Sequence, residues 1–235
     1  MFPLYDENPT RVTPWATYGL IGANCLVFLW QISLGPVGER AILSYGFIPA
    51  VLFGQAQLPS EFVRVPPAAT IVTSLFLHGG IAHLAGNMLY LWIFGNNVED
   101  ALGRVRFVLF YFACGTAAAL FQGSVQWQST IPMIGASGAI SGILGAYGLL
   151  YPYARVLVLI PLGFILYPAR LSAFWVLGSW FVLQIASALL SNPNAPGIAW
   201  WAHFGGFVVG CVLVIFARPP GVRLFAPAPP PSARR

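Results

Sequence analysis

Three groups of residues carry types and spacings that can do chemistry. Ser137 stands in Gly135-Ala136-Ser137-Gly138, and His203 in Ala202-His203-Phe204-Gly205-Gly206. A serine hydroxyl becomes a competent nucleophile when a base within hydrogen-bond reach takes its proton, and imidazole is the side chain suited to that near neutral pH. The small neighbours of Ser137 leave room for a carbonyl to approach. At a helix amino terminus the free backbone N–H groups also favour a developing anion. The third group is His78-Gly79-Gly80-Ile81-Ala82-His83-Leu84-Ala85-Gly86-Asn87. His83 and Asn87 are spaced i,i+4 and share one helical face. An imidazole and an amide stacked in this way can both donate to one oxygen, as an oxyanion hole requires. His78 falls in the lead-in turn made flexible by Gly79-Gly80.

Each group has a bland alternative. Ser137 can be a packing residue, since Gly138, Ser141, Gly142 and Gly145 make small-xxx-small pairs. His203 can be a histidine satisfied by a carbonyl or an interfacial water. The three histidines together can be read as a metal site, but no intramembrane carboxylate is available to orient the ligands. Against the packing reading, Gly206 and Gly210 give a second small-xxx-small face. Two such faces let two helices approach backbone to backbone, which would bring Ser137 and His203 within reach of each other.

The elements that must position these groups follow from composition. The 235-residue chain is 58% hydrophobic, 15% aromatic and 7% charged, whereas soluble domains run near ~25% charged. That excludes a water-soluble globule and, equally, a disordered chain. The net charge of +5 comes from scattered arginines with no lysine, so no basic stripe supports nucleic-acid binding. A transmembrane helix needs about 20 apolar residues. The charge-free windows Arg11–Glu39 and Arg64–Glu99 each hold one helix, and Arg106–Arg155 and Arg170–Arg218 each hold two. The expected architecture is an all-α polytopic membrane protein with six spans near 15–34, 82–98, 104–121, 136–151, 171–190 and 202–217, within a membrane domain 15–217. The turn formers in Gln122–Pro132 and Ser191–Gly197 separate the paired helices. Gly46, Pro49, Gly54 and Pro59 make 40–61 a long first loop with short helices, and Pro161, Gly163 and Pro168 make 155–170 an interfacial hairpin. Residues 1–14 form a terminal segment, and the Pro/Ala/Arg-rich tail 218–235 is expected to be disordered.

With six spans, Arg11, Arg104, Arg106, Arg155, Arg170, Arg218, Arg223, Arg234 and Arg235 share one side, against Arg40 and Arg64 on the other. The positive-inside rule then makes both termini cytoplasmic and opens Ser137, His203 and His83 toward the non-cytoplasmic side. Acidic Asp6 and Glu7 precede the first apolar run, so no cleavable signal peptide is expected. Cys25, Cys114 and Cys211 fall inside spans and read as packing residues rather than a disulfide framework. Asp6, Glu7, Glu39, Glu61, Glu99 and Asp100 all lie outside the six spans. This argues against an intramembrane aspartyl protease, a His-Glu-x-x-His metalloprotease and a proton-coupled transporter.

Taken together, Gly-Ala-Ser-Gly opening the fourth helix, Ala-His-x-x-Gly opening the sixth and His-x4-His-x3-Asn opening the second resemble the rhomboid intramembrane serine proteases. The likeness extends to PLYDENPTRVTP (3–14), TSLFLH (73–78) and FGNNVEDALGRVRF (94–107). It implies a six-helix rhomboid-type bundle with Ser137 as nucleophile and His203 as general base. His83, Asn87 and the Ser137 N–H would form the oxyanion hole, with His78, Gly135 and Gly138 in support. It further implies no cofactor and no metal, single-span or polytopic membrane-protein substrates reaching the site laterally beside helices 2 and 5, and a bacterial plasma membrane as the compartment. Oligomeric state is left open. Two positions depart from the family pattern. Arg64 lacks the neighbouring tryptophan of some members, and Ser141 stands where some carry an aromatic against the base histidine, so support for His203 must come from elsewhere, with Trp200 and Trp201 as candidates. The alternative function is a rhomboid-like pseudoprotease that binds and escorts transmembrane clients without cutting them.

Overall fold

The computed structural model describes residues 1–192 and 197–228. In chain order the elements are β1 (Phe2–Asp6), α1 (Trp15–Ser33), α2 (Gly38–Tyr45), α3 (Pro49–Leu52), α4 (Thr70–Thr73), α5 (Ile81–Tyr90), α6 (Asn96–Leu102) and α7 (Arg104–Val125). They continue with α8 (Ser137–Leu150), β2 (Arg155–Leu162), β3 (Ile165–Ser172), α9 (Ala173–Leu190) and α10 (Trp200–Ala217). A π-helical turn, Leu91–Gly95, joins α5 to α6.

The chain folds as a helical membrane bundle. α1, α7, α9 and α10 are each long and apolar enough to cross a bilayer. A fifth candidate span is Pro67–Phe76 with Ile81–Leu102, bent by 82° where the chain turns into α5. α8 has 14 residues, or ~21 Å at 1.5 Å per residue, short of the ~30 Å hydrocarbon core. It is shielded by the other helices along nearly its whole length. Large apolar side chains such as Leu26, Leu109, Trp175, Val182 and Phe216 face outward instead, as a bundle solvated by lipid requires.

The contact between α8 and α10 rests on glycine. A methyl group placed on Gly206 would overlap the carbonyl oxygen of Gly138, and one on Gly210 would overlap that of Gly142. α7 closes on the other side of α8, with Ala118 against Gly138 and Cys114 against Gly142. In a lipid environment, where burying apolar surface drives nothing, such backbone-close packing is what holds helices together.

The arginine-rich end adds a three-stranded antiparallel sheet of order β1-β2-β3 that an all-helical expectation does not contain. Gly163, at φ +61°, supplies the positive dihedral of the two-residue β2–β3 turn, which a primed hairpin turn needs at its first central position. β1 covers β2 only from Val156 to Leu159. Pro161 and Pro168 therefore lie where the ladder has a free edge and tolerate the missing N–H. The sheet pins the far end of α8, where the Tyr147 hydroxyl donates to Asp6 Oδ2 at 2.6 Å. Nearby, Glu99, placed beyond the second helix by its sequence, lies within α6 and is fully buried. Its carboxylate accepts from the Ala16 and Thr17 N–H groups at 3.0 and 2.7 Å and from Thr17 Oγ1 at 2.8 Å, capping the amino terminus of α1 with a charge of the favourable sign.

Two further boundaries differ from the sequence reading. α7 continues to Val125 because Gln122, read there as a turn residue, is a good helix former whose side chain is used by α10. The tail is ordered past Arg218: Val222 and Leu224 pack on the core, and the Phe225 and Ala226 N–H groups donate to Leu149 and Leu150 carbonyls, the last of α8, at 2.7 and 2.9 Å. Residues 229–235 and the centre of the Ser191–Gly197 turn, 193–196, lie outside the described residues.

Two stability measurements follow. Gly210→Ala should lower unfolding stability in detergent by about 1–3 kcal/mol through overpacking. Gly178→Ala, on α9 with open space around it, should leave the melting temperature unchanged. The second concerns Asp6, which burial pushes up from its ordinary 3.8 to about 7 although the Tyr147 hydrogen bond pulls it down. The folded state thus holds this proton more tightly than the unfolded chain. Its contribution is present below the unfolded value and is lost as pH rises through about 7. The melting temperature of Asp6→Asn minus that of wild type should rise between about pH 4 and 7; a flat difference across that range would contradict the assignment.

Candidate active site

Ser137 is the first residue of α8, and the chain reaches it through a strained approach. Gly135 has φ +115°, and its N–H donates to the Ser74 carbonyl at 2.9 Å. A Cβ there would lie 2.8 Å from His83 Cε1 and Nε2 and 3.5 Å from Asn87 Nδ2. Both the dihedral and the space therefore require glycine, and α5 lies directly beside the segment that carries the serine.

His203 enters from the first turn of α10. Its Nε2 is 2.8 Å from Ser137 Oγ. That helix is started by Gln122 of α7, whose Oε1 accepts the Ala202 N–H at 3.1 Å, while its Nε2 donates to Gln126 Oε1 at 2.7 Å. The other imidazole nitrogen, Nδ1, is 2.7 Å from Oε1 of Gln184 on α9. Two indoles wall the ring: Trp180 at 6.0 Å between centroids and tilted by 30°, and Trp200 edge-on at 5.9 Å. Trp201 packs instead on Phe121 and Phe204. Ser141 does not reach His203; its hydroxyl donates to the Ser137 carbonyl at 2.7 Å. Both ring nitrogens of His203 thus meet uncharged partners, a hydroxyl and an amide.

His83 is half-buried on α5. The Gly79 N–H donates to its Nδ1 at 3.3 Å, so in the neutral ring the proton sits on Nε2, the edge beside Gly135. Asn87 is buried, and its Nδ2 has no partner among the described residues. A buried amide donor left open is costly unless something transient uses it. Two donors, one imidazole and one amide, thus lie against the glycine two residues before Ser137. His78 stands behind His83, with ring centroids 5.1 Å apart. It is fully buried, and Gln31 of α1 clamps its backbone: Gln31 Nε2 donates to the His78 carbonyl at 2.8 Å, and the His78 N–H donates to Gln31 Oε1 at 3.2 Å. Gly138 serves packing, under Ala118 and Ala202.

Of the residues singled out from sequence, Ser137 and His203 are in direct contact, while His83 and Asn87 border Gly135. His78 is set back by one ring. Sequence reasoning missed Gln31, Gln122, Gln184 and Trp180. For Gln184 the available signal was the one amide of an otherwise apolar helix, and for Gln31 and Gln122 an amide near the end of an apolar run; Trp180 carries no such signal.

Comparison with known proteins agrees with the resemblance. Residues 66–220 match the model of the rhomboid domain. The chain is 30% identical over 224 residues to rhomboid protein 1, mitochondrial, of Saccharomyces cerevisiae, covering 89% of this chain and 54% of that protein. It is 37% identical over 134 residues to the rhomboid protease GluP of Bacillus subtilis, covering 57% of this chain and 24% of that one. It is also 30% identical over 207 residues to the human presenilin-associated rhomboid-like protein, mitochondrial, covering 84% of this chain and 47% of that protein. The chain therefore spans about half the length of the yeast and human relatives and a quarter of the Bacillus one.

Proposed function

The chain belongs to the rhomboid family, and on that basis we propose that it is an intramembrane serine endopeptidase in which Ser137 and His203 form the catalytic dyad. The observation that carries this reading is the 2.8 Å contact between Ser137 Oγ and His203 Nε2 at the half-buried start of a short helix. Ser137 Oγ attacks a peptide carbonyl of a membrane-protein substrate as its proton passes to His203 Nε2. The carbonyl oxygen, now an anion, takes hydrogen bonds from His83 Nε2–H, Asn87 Nδ2–H and the Ser137 N–H. His203 then gives the proton to the leaving amine, and water, activated by the same imidazole, hydrolyses the acyl-enzyme.

The length of α8 supports a reaction below the membrane surface. A ~21 Å helix whose far end is held by the sheet leaves its amino terminus short of the opposite face. Water must reach that level, and substrate segments must unwind there, because a helical peptide bond is screened by its own hydrogen bonds. Substrates with helix-weakening residues near that face and small side chains at the cut fit the site. They would reach it laterally beside α5 and α9. The arginine distribution supports both termini on the cytoplasmic side and the site open to the opposite one. A bacterial plasma membrane as the setting rests on the motif resemblance and not on the yeast and human relatives, which are named as mitochondrial.

Cleavage of a generic single-span substrate in liposomes tests the proposal. Wild type should cut within the half of the span nearest the non-cytoplasmic face. Ser137→Ala and His203→Ala should fall to background with unchanged melting temperature, and His83→Ala or Asn87→Ala should lower kcat by about 100- to 1,000-fold. Cleavage that survives both dyad substitutions would remove the assignment. Capture of the substrate by wild type without cutting would favour the escorting protein.

A further inference from the structure

Gln184 is the one amide in α9 and is almost fully buried. Its two ends have different partners. Oε1 faces His203 Nδ1 at 2.7 Å, and Nε2 donates to the Trp180 carbonyl, one turn earlier in the same helix, at 3.4 Å. A carbonyl oxygen can only accept, so the NH2 end must point toward Trp180. The reversed amide would set oxygen against oxygen. With Oε1 fixed toward the imidazole, the ring nitrogen it meets must be a donor. A neutral imidazole carries one N–H, so that proton is on Nδ1, and Nε2 presents its lone pair to Ser137 Oγ.

We propose that Gln184 is the positioning residue of the catalytic base, holding His203 in the one tautomer and orientation that can accept the serine proton. The proposal rests on the reading of Ser137 and His203 as the dyad. When Oγ–H gives its proton to Nε2, His203 becomes an imidazolium with both nitrogens protonated. The Gln184 oxygen then accepts a stronger hydrogen bond from Nδ1–H, and no proton moves to it. The proton on Nε2 leaves with the substrate amine, and Nδ1–H is unchanged over the cycle. A carboxylate would favour the imidazolium more but would have to be desolvated among apolar helices. A neutral amide orients the ring without that cost. Trp180 acts at both points: its carbonyl sets the amide, and its ring packs on the imidazole. Because Gln184 belongs to α9 and His203 to α10, the base is correctly aimed only while α9 is seated against α10.

The test uses the full chain in liposomes, with wild type, Ser137→Ala, Gln184→Met, Gln184→Asn and Gln184→Glu compared for kcat, KM and melting temperature. Gln184→Met keeps the volume without the acceptor and should lower kcat by roughly 10- to 100-fold, with KM within about twofold. Gln184→Asn keeps the amide but withdraws its oxygen by one methylene, and should lose kcat likewise; it carries the test if the Met variant does not fold. Gln184→Glu keeps the acceptor and, neutral in this apolar site, can also donate its O–H to the Trp180 carbonyl as the amide does, so it should recover most of the loss. A kcat within about twofold of wild type in a folded Met or Asn variant would overturn the proposal, as would equal losses in Met and Glu. Either result alongside an inactive Ser137→Ala would leave the dyad standing, whereas cleavage surviving Ser137→Ala would remove both readings.

Discussion

The carbonyl oxygens of Gly138 and Gly142 on α8 press against the α-carbons of Gly206 and Gly210 on α10, and the candidate site depends on that approach. A serine side chain is short. Its oxygen can meet an imidazole from a neighbouring helix only if the two backbones nearly touch, which one methyl group at the contact would prevent. α7 holds α8 from the opposite side with Ala118 and Cys114, so α8 is fixed by shape on two faces. The sheet and the folded-back tail fix its far end through Tyr147, Leu149 and Leu150. A helix too short to span is thereby placed at a defined depth.

Around that contact the protein orients its polar groups with amides rather than charges. Gln122 starts the helix of His203, Gln31 clamps the backbone of His78, and Gln184 meets His203 directly. Each bridges two helices, or a helix and a turn, in a medium where an unpaired charge costs several kcal/mol and a satisfied amide costs little. Among the described residues, the charged pairs Arg11–Asp100 and Arg170–Glu7 lie at the arginine-rich end, where Glu99 also caps α1. The exposed pairs add little stability. The buried cap of α1, by contrast, fixes where the first span begins.

Much of this was legible in the residues because charge is so costly in a bilayer. The charge-free windows put helices near 104–121 and 171–190, and the structure has them at Arg104–Val125 and Ala173–Leu190. The small-residue faces foretold the α8–α10 approach, and three separate motifs carried the rhomboid likeness. The hairpin read at 155–170 is there as β2 and β3, but its pairing with β1 was not legible, because a five-residue strand at one terminus gains its meaning only from a partner far along the chain. The π turn and the packed tail are likewise tertiary outcomes, since Val222 and Leu224 sit in a stretch whose proline content reads as unstructured. Between the two tryptophans offered for His203, spacing would have decided: Trp200 is three residues earlier and shares the helical face, while Trp201 points to Phe121. Gln184 escaped because its value depends on the register of α9 against α10.

On the proposed reading, the α8–α10 contact makes Ser137 a nucleophile and His203 its base. The most direct measurement is reaction of the membrane-embedded protein with a fluorophosphonate probe, followed by mass-spectrometric location of the adduct. A single phosphonylated residue, Ser137, should form in wild type and be lost in His203→Ala. Labelling at another serine, or an adduct at Ser137 forming equally fast without His203, would contradict it.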